Sequence, residues 1–321
     1  MKQYLDLLNA ALSGERSTVE RTGAGTVGVF QREARFDLSK GFPIVTTKPM
    51  YWRGVVEELL WFLRGETNIR SLVEKKVSIW TSDALRFNLA KVIDSGLITK
   101  PEVEQAQKEA KSQNYQPAEG LLNRFEQKIL QDRDFASLAG ELGPVYGAQW
   151  RGKSSTQPID QLEVLEEALA NKKYNRRLIV NAWNPQDLPK MALPPCHYLW
   201  QVNISPESQK LNLGWSQRSC DTVLGIPFNI ASYALLANLL AHTHDYALGE
   251  LVGKFEDLHV YLPHLPAAQE QLNREPKPLP QLKILTKKNS IAEYVSSDIN
   301  LIGYEKHPKL QNPTPMFGGF F

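Results

Sequence analysis

Cysteine is scarce in this chain: its 321 residues contain two, Cys196 and Cys220. Their separation matches no metal-ligand spacing, and two cysteines provide no disulfide framework, so we expect no bound metal and a reducing, cytoplasmic location. The N-terminus also lacks the long apolar stretch that a secretory signal peptide requires. The sequence contains no internal repeat and no low-complexity tract.

The chain also has no large excess of positive or negative charge. The 37 basic residues nearly balance the 35 acidic ones, so nothing indicates a nucleic acid or an anionic membrane as a partner. Residues 222–241 form an uncharged stretch of the length of a membrane span, but they include Pro227 and Asn229. We therefore predict a buried core helix that begins after a loop, and no membrane segment.

The hydrophobic patterns alternate between helical and strand periodicity, which predicts an α+β protein. Residues 83–140 differ, because they are rich in Lys, Glu, Gln and Asp and poor in aromatic side chains. We interpret them as a helical insertion in one domain that spans residues 1–321. Outside them the patterns predict helices at 2–13, 55–63 and 159–169, and strands at 26–38, 197–204, 211–219 and 256–261.

Cys196 is the most informative residue, since it follows two prolines and precedes His197. Proline restricts both its own backbone and that of the residue before it, so a stiff segment should present the thiol in one direction. A thiol with a pKa of about 8.5 needs a nearby cation to react at neutral pH, and Arg218 is a candidate. The alternative is a small buried hydrophobic residue.

A second set of residues points to covalent catalysis on a phosphorylated small molecule. Glu58 lies within an apolar helix, where a carboxylate needs a partner or a task, although its neighbour Glu57 is an equal candidate and one of the two is expected to face solvent. A glycine-rich turn headed by Arg21 and the pair Arg176 and Arg177 are candidate phosphate ligands. A Cys/His protease is a weaker alternative, because adjacent residues on a strand point to opposite faces.

Several motifs together resemble the classical, folate-using thymidylate synthase family. They occur in the family's order and cover most of the chain outside residues 83–140, a region where some members carry an insertion. The motifs lie at residues 21–26, 41–48, 58–63, 143–147, 176–177, 193–197, 217–221, 224–233 and 257–261.

The resemblance implies a large mixed β-sheet packed with helices around a central buried helix, with one sheet face forming a dimer interface. It implies reductive methylation of dUMP to dTMP by 5,10-methylenetetrahydrofolate, which is consumed as a co-substrate and leaves as dihydrofolate. Cys196 would add to C6 of uracil, since C5 alone is a poor nucleophile. An obligate homodimer is implied, with Arg176 and Arg177 reaching the neighbouring site.

Three groups of site residues follow from the resemblance. The catalytic group is Cys196, Glu58, Arg218, Asn229, Tyr146 and His197. The dUMP group is Arg21, Arg176, Arg177, Gln217, Arg218, Ser219, Asp221, Asn229, His259 and Tyr261. The folate group is Lys48, Ile79, Trp80, Asp221, Leu224, Gly225, Phe228 and Phe321.

The chain departs from the family pattern where folate would bind. Residues 81–83 read Thr-Ser-Asp where Asp-Glu-Trp is usual, the last residues are Gly-Gly-Phe-Phe, and Glu256 replaces a usual glycine. A looser folate slot would admit water, so a dUMP hydroxymethylase of the same fold is the alternative function. A nucleotide-binding or RNA-binding protein without turnover is a further alternative, which the intact catalytic group disfavours.

Overall fold

The structure is a computed structural model that describes residues 1–17, 23–111, 118–172 and 175–312. In these residues helices and strands are interleaved along the chain. The helices α1 to α12 are Lys2–Leu12, Trp52–Leu63, Arg70–Glu74, Thr81–Phe87, Leu89–Asp94, Lys100–Lys111, Ala118–Gln131, Arg133–Ala139, Tyr146–Trp150, Gln161–Ala170, Gly225–Thr243 and Leu265–Leu272. The strands β1 to β8 are Glu15–Ser17, Thr26–Asp37, Ile179–Asn181, His197–Ser205, Lys210–Asp221, Ala247–Tyr261, Gln281–Ile284 and Ile299–Ile302.

Six strands form one mixed sheet in the order β1-β2-β6-β5-β4-β3, and β7 pairs with β8 in a separate ribbon. All neighbours in the large sheet are antiparallel except β5 and β6, which run parallel. A parallel pair needs a crossover connection, and helix α11 supplies it between these two strands. The α+β architecture expected from the sequence is thus confirmed.

Two apolar helices form much of the core. Every residue of α2 from Gly54 to Leu63 is buried, which explains its unbroken apolar sequence. The uncharged α11 packs against β5, β6 and α2, and most of its residues are buried, as expected for residues 222–241. No helix in the described parts of the chain is long and apolar enough to cross a membrane.

Residues 83–140 are helical in their described part, with α4 to α8 and no strand. Hydrogen bonds connect this insertion to the rest of the chain. Arg70 donates to the carbonyls of Ile129 (2.8 Å) and Leu130 (2.9 Å), and the Asn88 amide donates to the carbonyl of Glu141 (2.8 Å). The insertion therefore packs on α3 and on the chain that re-enters the main fold.

Candidate active site

One end of the large sheet collects most of the expected site residues. Because β5 and β6 are parallel, their C-terminal ends meet, and Asp221 lies in register with His259. Strand β4 is antiparallel to β5, so its first residue, His197, lies opposite Gln217 at the same end. Helix α11 also begins there, directly after β5. Cys196, which precedes β4, is therefore at the centre of this end of the sheet.

The segment before Cys196 is held by hydrogen bonds to its backbone. The Arg218 guanidinium donates to the carbonyls of Pro194 and Pro195, each at 2.9 Å, and its backbone N–H donates to the Cys196 carbonyl at 2.8 Å. The Cys196 N–H donates to the hydroxyl of Tyr146 at 2.8 Å. Cys196 itself is half-buried. A fixed, partly open cysteine next to a permanent cation suits a nucleophile.

The His197 side chain is buried in the core, whereas its neighbour Cys196 is half-buried. Its ring stacks on Tyr146 with centroids 4.3 Å apart, and its Nδ1 lies 2.8 Å from the Tyr233 hydroxyl. Burial lowers the pKa of His197 to about 3, so the ring is neutral at physiological pH. A neutral, buried imidazole supports Tyr146, which in turn holds the backbone of Cys196.

Of the two neighbouring glutamates on α2, Glu58 has the environment expected of a proton carrier. Burial raises its pKa from 4.5 to about 7, and the hydrogen bond from Trp80 Nε1 to its Oε1 (2.8 Å) opposes that rise. A carboxyl group that titrates near neutrality can both accept and donate a proton at working pH. Glu57 is buried too, not facing solvent, and it is ion-paired with Lys75 at 2.6 Å. The structure thus separates the two candidates.

Two side-chain amides meet at the start of α11. Gln217 Nε2 donates to Asn229 Oδ1 at 3.0 Å and to the carbonyl of Ser219 at 3.0 Å, while the Trp215 indole donates to Gln217 Oε1 at 3.3 Å. The amide nitrogen of Asn229 donates to no other described residue. Asn229 is half-buried, so its NH₂ group is available to a ligand that offers an acceptor.

Asp221 shapes the turn between β5 and α11. Its Oδ1 accepts the backbone N–H groups of Val223 (3.0 Å) and Leu224 (3.2 Å). Gly225 and Phe228 follow on the first turn of α11, and Leu224, Gly225 and Phe228 are all half-buried. The result is a partly apolar ledge with one carboxylate at its edge, which suits a flat heterocycle with polar edges.

At the end of β6, His259 and Tyr261 project to the same face, with ring centroids 5.3 Å apart. Burial lowers the pKa of His259, but Asp257, whose carboxylate lies 3.2 Å from Nδ1, and the charge of Asp221 together raise it, so the net shift is upward. Glu256, the residue at the usual glycine position, accepts a hydrogen bond from the Tyr198 hydroxyl at 3.0 Å.

Comparison with known proteins explains this arrangement. A model of the thymidylate synthase family matches residues 2–316. Thymidylate synthases of Listeria monocytogenes serotype 4a (strain HCC23) and Listeria innocua serovar 6a are 43% and 42% identical to the chain, and each match covers 98% of this chain and 99% of the relative. The chain belongs to the thymidylate synthase family. Membership makes it a methyltransferase, and the relatives' names favour thymidylate synthase over the hydroxymethylase alternative.

Four residues expected at the family's nucleotide and folate sites are not among those that the described structure brings together. Arg176 and Arg177 are exposed in the turn before β3, and neither guanidinium forms a hydrogen bond or ion pair with a described residue. Arg21 and Phe321 fall outside the described residues.

The departures at the folate site have a structural counterpart. Asp83, where the family usually has a second tryptophan, is ion-paired with Arg86 at 3.1 Å. Lys48 is buried, and its ammonium donates to the carbonyl of Val223 while burial lowers its pKa to about 8. Ile79 is half-buried against the core. Position 83 thus carries one member of an ion pair, and Lys48 is tied to the β5–α11 turn.

Sequence reasoning missed two neighbours of the catalytic residues. Tyr233, which binds His197, follows Asn229 by four residues on α11, and this helical spacing could have indicated a shared face. Trp183 lies under the Arg218 guanidinium, whose central carbon is 5.3 Å from the ring. No local pattern links Trp183 to Arg218, because the contact joins the segment after β3 to β5, which are distant in the sequence.

Proposed function

We propose that this chain catalyses the reductive methylation of dUMP to dTMP with 5,10-methylenetetrahydrofolate as co-substrate and dihydrofolate as second product. The family match over residues 2–316 supports this activity. Within the structure, the observation that carries it is the arrangement at one sheet end: a half-buried Cys196 is clamped by Arg218, and Glu58 has a pKa of about 7. These are the nucleophile, the cation and the proton carrier that the reaction needs.

Cys196 makes C5 of uracil reactive. Its sulfur forms a bond to C6, and the displaced electron pair moves to C5 and O4 as an enolate. C5 can then bond to the one-carbon unit, which the folate supplies together with a hydride. Loss of the C5 proton and departure of the thiolate restore the pyrimidine. The stiff backbone around Cys196 favours both steps, because thiol and ring keep one relative geometry.

Glu58 manages protons during these steps. With a pKa of about 7 it is partly protonated at neutral pH, so it can give a proton to a developing amine or oxyanion and take one back. The nearby groups do not compete with it for protons. The pKa of Tyr146 lies well above 10 through burial, and that of His197 is about 3, so neither titrates near neutrality.

Different residues would bind the different chemical groups of the nucleotide. Arg218, Ser219 and Arg21 would bind the phosphate, with Arg176 and Arg177 from a second subunit. His259 and Tyr261 would bind the deoxyribose hydroxyl. The half-open ledge of Asp221, Leu224, Gly225 and Phe228 fits the folate, because a carboxylate at an apolar edge can accept hydrogen bonds from its pterin. Two reduced cysteines agree with a cytoplasmic location.

A product assay tests the proposed function. The protein is mixed with dUMP and methylenetetrahydrofolate, dihydrofolate is followed by absorbance, and the nucleotide product is weighed by mass spectrometry. We expect dTMP and dihydrofolate in equal amounts. Hydroxymethyl-dUMP without dihydrofolate would show that water reaches the site, and bound dUMP without any product would show a binding protein; either result contradicts the proposal.

Asn229 is expected to select uracil over cytosine. Its amide can donate to O4 and accept from N3–H of uracil, whereas an ionised aspartate can only accept. The variant Asn229→Asp should therefore lower the preference for dUMP over dCMP in a binding competition by about 10-fold or more. Asn238→Asp is the matched control, since Asn238 lies on the same helix and donates to the carbonyl of Ala234. Unchanged preference in Asn229→Asp would refute the role.

A homodimer with shared sites is part of the proposal. The exposed, uncommitted Arg176 and Arg177 support it, as does the 72% exposed Phe30 on strand β2, which offers apolar surface for a partner. We expect Cys196→Ala and the double variant Arg176→Ala, Arg177→Ala to be inactive alone. Co-refolded, they should regain about a quarter of the parent activity, because half the dimers are mixed and each holds one intact site. An inactive mixture would place the arginines in their own subunit's site.

A further inference from the structure

Helix α4, Thr81–Phe87, is the first helix of the insertion and connects its later helices to the active site. It begins directly after Trp80, the partner of Glu58, and it contacts α7 of the insertion. Its sequence includes the Thr-Ser-Asp that replaces the family's usual residues. Contacts at its two ends involve the loop before Cys196 and the backbone next to Trp80, so its position is relevant to catalysis.

The first contact is made by Arg86. Its Nη2 donates to the carbonyl of Ala192 at 2.5 Å and to Asp83 at 3.1 Å. Ala192 lies four residues before Cys196, and its own N–H donates to the carbonyl of Leu142. Arg218 holds the later part of this loop, at Pro194 and Pro195, so Arg86 fixes the part that Arg218 does not reach.

The second contact is made by Thr81. Its hydroxyl donates to the Glu126 carboxylate on α7 at 2.5 Å. The preceding residue, Trp80, is 6% exposed and donates its indole N–H to Glu58. The insertion thus holds the backbone next to Trp80, and Trp80 holds the carboxylate that carries protons.

We propose that α4 couples the insertion to catalysis, with Arg86 and Glu126 as positioning residues for Cys196 and Glu58. The roles of Cys196 and Glu58 rest on the proposed function. The Asp83–Arg86 pair is 15% and 30% exposed, and an ion pair so close to solvent contributes little stability by itself. Instead, the pair orients the Arg86 guanidinium toward the Ala192 carbonyl and so holds the loop that carries Cys196. This position matters because displacing a reacting atom by about 1 Å lowers the rate by about 100-fold.

Arg86→Met tests the first contact. We expect kcat to fall by about 10-fold or more while KM for dUMP changes less than about twofold, because the nucleotide ligands lie on other elements. Alkylation of Cys196 by iodoacetamide, followed on its peptide by mass spectrometry, should slow by about threefold as the loop leaves Arg218. Arg86→Lys should restore part of both rates, since lysine can still donate to Ala192. Buried Cys220 is the internal reference.

Glu126→Leu tests the second contact. The Trp80 hydrogen bond lowers the pKa of Glu58 against the effect of burial, so a displaced Trp80 should move the acidic limb of the kcat profile to higher pH by about half a unit or more. Glu126→Gln keeps an acceptor for Thr81 and should retain the parent profile. Arg124→Met is the matched control on α7, where Arg124 pairs with Glu102 and with no other described acidic residue.

Parent-like kcat and alkylation in Arg86→Met, or a parent-like profile in Glu126→Leu, would overturn the proposal. The proposal would also be overturned if both Arg86 variants showed a weaker affinity for dUMP together with a lower melting temperature, because that result indicates a folding defect. Should the parent protein form no dTMP, the proposed function fails, but the alkylation rates still decide whether Arg86 positions Cys196. The two failures are therefore distinguishable.

Discussion

A Cys196→Ala variant is expected to lose dTMP formation by about 10⁴-fold or more, with dUMP affinity changed less than about threefold. No other described group can form the bond to C6, because Cys220 is fully buried and its pKa is raised by burial. Nucleotide binding should survive, since the residues proposed to bind the sugar and the base, and part of those proposed for the phosphate, lie on β5, β6 and α11. Single-turnover product formation and dUMP titration by calorimetry measure the two quantities.

Cys220→Ala is the matched control for that experiment. Its thiol donates to the carbonyl of Gln217 at 3.2 Å and has no contact with solvent. We expect it to keep kcat within a few-fold and to remain active after the same purification. Turnover retained in Cys196→Ala, or lost equally in Cys220→Ala, would remove Cys196 from the role of nucleophile.

A Glu58→Gln variant is expected to lower kcat by about 10²- to 10⁴-fold, the usual contribution of a general acid or base. Glutamine has nearly the same shape and can still accept the hydrogen bond from Trp80, but it cannot carry a proton. The parent should show a kcat limb near pH 7, where Glu58 titrates, and the variant should lack it. Stopped-flow absorbance across pH 5 to 9 separates the two profiles, and an identical limb in the variant would assign it to another group.

The same substitution should stabilise the protein at alkaline pH. The folded state holds the Glu58 proton more tightly than the unfolded chain, because burial raises the pKa from 4.5 to about 7. Glu58 therefore lowers the free energy of unfolding progressively as the pH rises from about 4.5 through about 7, and the effect levels off once the folded state is also deprotonated. Relative to the parent, Glu58→Gln should gain about 2–3 kcal/mol between pH 4.5 and pH 8.

Urea unfolding of both proteins at pH 4.5 and pH 8 measures this gain. The comparison between pH values cancels effects of the substitution that do not depend on ionisation. Equal pH dependence in parent and variant would show that Glu58 has no raised pKa in the folded state. If Glu58→Gln gains free energy of unfolding and loses kcat, the Glu58 carboxylate serves catalysis at the expense of stability.

Local sequence determined much of this protein. The helical and strand patterns place α1, α2, α11, β2, β4 and β5 within a few residues of their observed ends, because side-chain periodicity follows directly from backbone geometry. The two prolines predict a stiff approach to Cys196, since proline restricts the chain locally. The motif order was sufficient to predict the family, which comparison confirms.

Tertiary structure alone decided which residues act together. Parallel pairing of β5 with β6 brings Asp221 beside His259, the Trp80 indole selects Glu58 over Glu57, and Arg86 reaches Ala192 across 106 residues. Periodicity carries no information on such pairs, because strand order and the packing of distant elements set them. Sequence thus determined the elements and the chemical groups of this protein, and the packing of distant segments determined their partners and ionisation, which depend on burial and distance.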